Sequence, residues 1–315
     1  MAEPWMKWAM AEGGTKTLSR LLNKYVGIAS GTFAGSLAAY AVVSAIQMLG
    51  GLAGTTIRGR SIFISPPQLL GAALFGITAS IMSVLAVFSF TYEGADVGIT
   101  TFIVTMSIIP GALIDWVFFK HPLSPRQWLG IAVFLAAGYA VLNFPEIRTL
   151  LVLPPWVWLT FGIALLGAVN EGITQWQAQR KIDPLDPLVN NFWIGLTSVL
   201  TSGGALVVFG GLHSISQLPG RFWLGSAAIG FIVIGMISFK LLAYKGGGSI
   251  ALKKLIMQAA YLISATFTGW LFYAEPLTVG KLVGMAGYLV AFTLMDKGTW
   301  EFARRLGQKR RYSSA

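Results

Sequence analysis

Cysteine is absent from the 315 residues. Its absence excludes disulfides, zinc–thiolate sites, iron–sulfur clusters and a cysteine nucleophile. Histidine occurs only at positions 121 and 213, and His121 is followed directly by Pro122. A histidine-based metal site or a His/Ser catalytic pair is therefore not expected. Charge is scarce as well: 11% of residues are Asp, Glu, Lys or Arg, against about 25% in an ordinary soluble domain. That shortage argues against a soluble globular protein, a disordered chain and a nucleic-acid-binding domain, even though the formal net charge is +11. No phosphate loop of the GxxxxGK[ST] type is present, so ATP hydrolysis on this chain is not expected, and no cofactor is implied.

Apolar residues are abundant instead: 55% of the chain is hydrophobic and mean hydropathy is +0.68. A bilayer-spanning helix needs about 20 such residues. Nine candidate spans lie near 25–53, 67–91, 97–119, 127–144, 155–178, 188–211, 222–244, 250–273 and 278–296. They are too long, and lack the period-2 alternation, for barrel strands. Residues 1–24 have no apolar core and read as a polar N-terminal segment, not a signal peptide. Lys and Arg set orientation. If the basic tail 297–315 is cytoplasmic, Arg58, Arg60, Lys120, Arg126, Arg180, Lys181 and Lys245 share its side, and only Arg148, Arg221 and Lys281 lie opposite. Lys7, Lys16, Arg20 and Lys24 are the exception, because nine spans put them outside. The positive excess then reads mainly as a topology signal and as attraction to anionic lipid.

The two halves resemble each other. Asn23 to Ser30 reads like Asn191 to Ser198, and Leu70-Gly71 like Leu224-Gly225. Tyr92-Glu93-Gly94 reads like Tyr244-Lys245-Gly246, and Trp116 with Pro122 and Gly130 like Trp270 with Pro276 and Gly284. The expected architecture is an all-α polytopic membrane protein of two inverted repeats. The first, 25–148, shows four spans with its first helix missing; the second, 149–296, shows five. A unit with an odd number of crossings re-enters the membrane from the other side, as in secondary transporters with a midplane site between the repeats.

Trp270 through Glu275-Pro276-Leu277-Thr278, with Lys281 and Gly284, and Trp116 through His121-Pro122-Leu123-Ser124, with Gln127, Gly130 and Pro110, resemble the drug/metabolite transporter superfamily in its EamA-like form. His121 departs from the pattern where Glu275 fits it, and Pro110 has no counterpart near Leu262. The resemblance covers nearly the whole chain and implies a ten-helix transporter in the cytoplasmic (inner) membrane. Asn190-Asn191-Phe192 and Ala251-Leu252-Lys253-Lys254 are similar to motifs of the nucleotide-sugar branch, where such segments contact nucleotide and phosphate.

Ionisable groups at membrane depth default to functional roles. Lys254, Gln258, Tyr261, Ala265 and Thr268 fall on one helical face. Thr101, Thr105, Ala112 and Asp115 form a second stripe, and Thr160, Gly167, Glu171 and Thr174 a third. The expected substrate site comprises Glu171, Asn170, Lys254, Gln258, Tyr261, Lys240, Asn191 and Tyr25, with Glu171 and Asp115 as proton-coupling groups. Lys240, Lys253, Lys254 and Asp115 have a plainer reading as groups reaching the membrane surface. The expected function is alternating-access transport of a small polar metabolite, anionic or zwitterionic, most plausibly outward and coupled to protons or exchange. The alternatives are a nucleotide-sugar or phosphate antiporter of the same superfamily and a transport-inactive scaffold. A membrane-embedded enzyme is the weakest reading, because no histidine accompanies the deep carboxylates.

Overall fold

Prolines and short capping side chains set many of the helix starts. Pro66, Pro125, Pro155 and Pro187 each open a helix, where the missing N–H and fixed φ of proline are no handicap. Thr32 Oγ1 accepts the Gly35 N–H at 3.0 Å, Asp96 Oδ1 that of Ile99 at 2.9 Å, and Asp186 Oδ1 that of Leu188 at 2.8 Å. The resulting all-helical chain is seen in a computed structural model that describes residues 4–120, 124–141, 153–179, 185–209, 211–247 and 250–295. His121 to Leu123, Arg148, Arg180, Lys181 and the tail 297–315 lie outside the described residues, as does the side chain of Asp115.

The elements are α1 (Pro4–Ser30), α2 (Phe33–Ile57), α3 (Pro66–Ser89), α4 (Val97–Thr105), α5 (Ile108–Phe119), α6 (Pro125–Val141), α7 (Pro155–Ala178), α8 (Pro187–Val208), the single turn α9 (Leu212–Ile215), α10 (Gly220–Lys245), α11 (Ile250–Tyr273) and α12 (Val279–Met295). Among the described residues, six helical segments are long and apolar enough to cross a membrane: α2, α3, the α4–α5 run, α7, α8 and α10. The usual distribution of polarity is inverted. Leu165, Leu200, Leu224 and Phe231 are 60–75% exposed, whereas Glu12 and Lys253 are 0% exposed and Lys254 is 1%. An outer surface of this kind needs hydrocarbon around it, and the chain is a polytopic membrane protein.

Two features depart from the sequence reading. The run 25–53 is not one span: α1 ends at Ser30, Gly31 takes a left-handed φ of +61°, and α2 starts at Phe33. Residues expected to form a polar segment are instead most of the 27-residue helix α1, which packs on α10 and α11. Its charges hid it from a hydropathy argument. The run 97–119 is also divided. Pro110 offers no N–H to the Met106 carbonyl, the chain tightens so that Ser107 N–H bonds Val104 O at 3.1 Å, and a new helix begins at Ile108.

The helices pair in a repeating scheme. α2 crosses α8 at the centre; α1 packs on α10 as α3 does on α7; α2 packs on α10 as α3 does on α8. α1 lies on α11, while α7 lies on α4 and α5; α4 and α5 face α11, and α6 pairs with α12. At one end of the bundle Arg60 Nη1 meets Asp186 Oδ2 at 2.6 Å and Trp193 Nε1 donates to Ile62 O at 2.8 Å.

The central crossing is made by glycines. A Cβ at Gly51 would lie 2.5 Å from the Phe192 amide nitrogen, and one at Gly195 2.5 Å from that of Met48. Such close backbone approach is how membrane helices pack without a hydrophobic drive. Gly51→Val or Gly195→Val should therefore lower the thermal midpoint of the purified protein, with an overpacking cost of about 1–3 kcal/mol or more. Gly203→Ala, with nothing within 4 Å of its added carbon, should not. Equal midpoints for all three would refute the crossing.

Candidate functional site

α1, α7, α10 and α11 carry their ionisable residues inward, because lipid offers those groups no partners. In α1, Glu12, Lys16 and Arg20 recur every fourth residue and so share one face. Lys253 Nζ, fully buried, lies 2.6 Å from Glu12 Oε2 and 2.8 Å from Glu171 Oε2. Lys16 Nζ lies 2.8 Å from Glu12 Oε1 and 3.8 Å from Glu171 Oε1. Lys240 Nζ lies 3.2 Å from Glu171 Oε1, and the Tyr244 hydroxyl donates to Glu171 Oε2. One network therefore joins four helices. A buried charge is tolerated only when paired and hydrogen-bonded; Glu171 is both, and Glu12 is paired with Lys16 and Lys253.

Beside the network lies a cavity of about 120 Å³, roughly ten times what one buried water requires. Lys16, Arg20, Glu171, Lys240, Lys254, Gln258 and Tyr261 line it, with Val43, Phe75, Ile163, Ile229 and Val233 among the apolar walls. Lys254 Nζ donates to Ser107 O and Oγ, each at 3.0 Å, and Gln258 Nε2 donates to the same hydroxyl at 3.0 Å. The break between α4 and α5 supplies that acceptor. Four cations line the cavity against one carboxylate, so its field favours an anion.

The expected residues separate into two groups. Glu171, Lys240, Lys254, Gln258 and Tyr261 line the cavity together; Asn170, Asn191 and Tyr25 do not. Asn170 bonds Thr78 and joins α7 to α3. Asn191 accepts from Gln47 Nε2 at 2.9 Å and donates to Ser238 Oγ at 3.0 Å, which ties α8 to α2 and α10. Tyr25 is 39% exposed and borders a separate surface groove with Phe272 and Tyr273. Of the third-span stripe, Thr101, Thr105 and Ala112 are buried away from the cavity, which α4 and its C-terminal turn reach through Val104 and Ser107. Glu12, Lys16, Arg20 and Ser107 are additions. The four-residue recurrence in α1 was the available signal, and it is visible only once 4–30 is read as a helix.

A second ionic cluster closes the opposite end. Lys24 Nζ lies 2.7 Å from Glu275 Oε1, and the same oxygen accepts the Val97 N–H at 2.7 Å, at the positive N-terminus of α4. Lys281 Nζ lies 2.5 Å from Asp96 Oδ2. Burial and the neighbouring Asp96 carboxylate push Glu275 above the ordinary carboxylate range, opposed by Lys24 and the Val97 N–H. Ala274, just before it, holds a left-handed φ of +53°, as does Lys120 at +58°. Each stands four residues after a tryptophan, Trp270 and Trp116.

No protein-family model and no curated protein matches the chain. Among solved structures, one described only as "Crystal structure of protein" is similar, with a TM-score of 0.58 and 15% sequence identity, over 90% of this chain and 97% of its own. The likeness shows that the fold exists in another protein.

Two outcomes follow from the ionic geometry. Glu171→Gln should destabilise the protein by about 3–5 kcal/mol because it strands buried cations, and adding Lys253→Gln should recover part of that loss; strictly additive losses would show that the two residues do not interact. Lys24→Met should speed hydrogen exchange at the Val97 amide, which Glu275 then holds less firmly. Unchanged exchange would show that Lys24 does not position that carboxylate.

Proposed function

We propose that the protein is a secondary transporter that carries a small polar anion, or a zwitterion with an exposed acid group, across the membrane by alternating access. The observation that carries this reading is the electropositive cavity inside an apolar bundle, lined by Lys16, Arg20, Lys240 and Lys254. A scaffold has no use for a chamber lined by four cations whose charges are costly to bury.

The helix pairing supports two inverted repeats, α1 to α6 and α7 to α12, in which α1 takes the place of the helix that the sequence reading left vacant. Exchanging the units turns α1–α10 into α7–α3 and α2–α10 into α8–α3, while α2–α8 and α6–α12 map onto themselves. The twin left-handed residues Lys120 and Ala274 agree with this scheme. Ten crossings put both ends of the chain on one side. By the positive-inside rule that side is the cytoplasm, because it carries Arg58, Arg60 and Arg126 as well as the basic tail. Lys16 and Arg20 are then not a charge exception; they are cavity residues. The scaffold alternative rested on an open wall between the helices, and α1 occupies that wall. The nucleotide-sugar alternative rested on Asn190-Asn191-Phe192 and on Ala251-Leu252-Lys253-Lys254, where Lys253 already departs from the motif; here Asn191 ties α8 to α2 and α10 and Lys253 belongs to the ion network. The general EamA-like reading is the one we keep, with export into the periplasm or medium and proton or exchange coupling.

Coupling requires a carboxylate that trades lysine partners as the halves rock, and Glu171, reached by Lys240, Lys253 and Lys16, is placed to do so. Counterflow of labelled organic anions from loaded liposomes, with and without a pH gradient, is the test. A gradient should accelerate flux through the wild-type protein and leave a correctly folded Glu171→Gln variant insensitive. Gradient-dependent flux in that variant would remove Glu171 from coupling and turn attention to Glu12 of the same network and to Asp115.

A further inference from the structure

Among the cavity cations, Arg20 stands apart. Lys16 and Lys240 have carboxylates within reach, and Lys254 is held by Ser107. Arg20 is 3% exposed, and its Nε and Nη2 have no hydrogen-bond partner. Its only described contact of note is the Phe90 ring, 4.7 Å from the guanidinium carbon to the ring centre. Nε and Nη2 form one edge of the planar fork, with two parallel N–H donors spaced to match the two oxygens of a carboxylate. A buried charged donor pair left empty is costly, and the cavity it borders is where a ligand would satisfy it.

The surroundings of Arg20 define the rest of the ligand. α10 runs antiparallel to α1: the Gly225 Cβ position meets Val26, and that of Gly235 meets Thr15. Ile229 and Val233 are therefore level with Arg20, whereas Lys240 belongs to the other end. On α3, Val87 and Phe90 flank Gly27, so Val87 also borders Arg20's half. This half of the cavity carries Val43, Val87, Ile229 and Val233 together with the polar Ser19, Asn23, Tyr40 and Ser83, and Lys240, Lys254 and Glu171 gather in the other half.

We infer that the transported anion is a small carboxylate with an apolar body, held bidentate on the Nε–Nη2 edge of Arg20 with its hydrocarbon part against the valine and isoleucine wall. This deepens the transporter reading and rests on it for the word "transported"; the binding claim stands on the geometry alone. The cavity of about 120 Å³, roughly four waters at about 30 Å³ each in the liquid, suits a small ligand.

Calorimetry on purified protein in lipid nanodiscs tests this with acetate, isovalerate, phenylacetate, phenylacetamide and inorganic phosphate. Affinity should rise from acetate to isovalerate and phenylacetate, and phenylacetamide should bind roughly ten- to hundredfold more weakly than phenylacetate. Arg20→Lys, which keeps the charge and loses the fork, should abolish most of that preference while the thermal midpoint of the unliganded protein holds. Arg20→Gln should do the same, as a check against a variant that misfolds. Equal binding of acid and amide, tighter binding of phosphate, no binding of any carboxylate, or full preference in Arg20→Lys would each overturn the inference. Binding as predicted without flux in liposomes would refute the transport reading and leave the site standing. Flux of other solutes with no carboxylate binding would do the reverse.

Discussion

Lys253, lodged between Glu12 and Glu171, is the contact on which the rest of this structure depends. It is fully buried, and it ties α1 to α7 and α11 in a region where water cannot compensate a stranded charge. Remove Glu171 and Lys240 loses its ion pair; remove Lys253 and the Glu12 and Glu171 carboxylates lose the cation between them. The network thereby fixes where α1 sits. With α1 in place, the cavity has a wall, Arg20 points into it, and Lys24 reaches the carboxylate that caps α4 at the far end.

The arrangement also explains how so charged a helix lives within an apolar bundle. A helix is stable in a membrane when its polar groups are satisfied internally, and helices α7, α10 and α11 provide that satisfaction for α1. The two ionic clusters lie at opposite ends of α1: Glu12 and Lys16 meet the lysine-rich end of the cavity, and Lys24 meets Glu275. Arg20, between them, makes no ion pair among the described residues and feels Glu275 only at longer range. In the transporter we propose, rocking of the bundle would break one cluster while keeping the other.

Much of this was legible in the sequence, and the failures share a cause. Glu171, Lys254, Gln258 and Tyr261 were expected on inward helical faces from spacing alone, and all four line one cavity. α1 was missed because hydropathy scores each residue alone. Glu12 and Lys16 look expensive until Lys253, far along the chain, is known to lie beside them. Asn191 was expected in the site from the nucleotide-sugar resemblance and Tyr25 as an aromatic cavity wall, yet one is a crosslink among three helices and the other a partly exposed residue at a surface groove. A side chain's polarity shows that it needs a partner; only the packing shows whether that partner is a ligand or a neighbouring helix.

The account turns on α1 being a membrane-crossing helix with buried charges, and the absence of native cysteine makes this directly measurable. Single cysteines at Lys7, Thr32 and Ser61, all exposed, can be labelled with a membrane-impermeant maleimide in oriented vesicles. Lys7→Cys and Ser61→Cys should react from the same side of the membrane, and Thr32→Cys only from the other. Labelling of Lys7→Cys from the same side as Thr32→Cys would place α1 outside the bilayer and contradict the account.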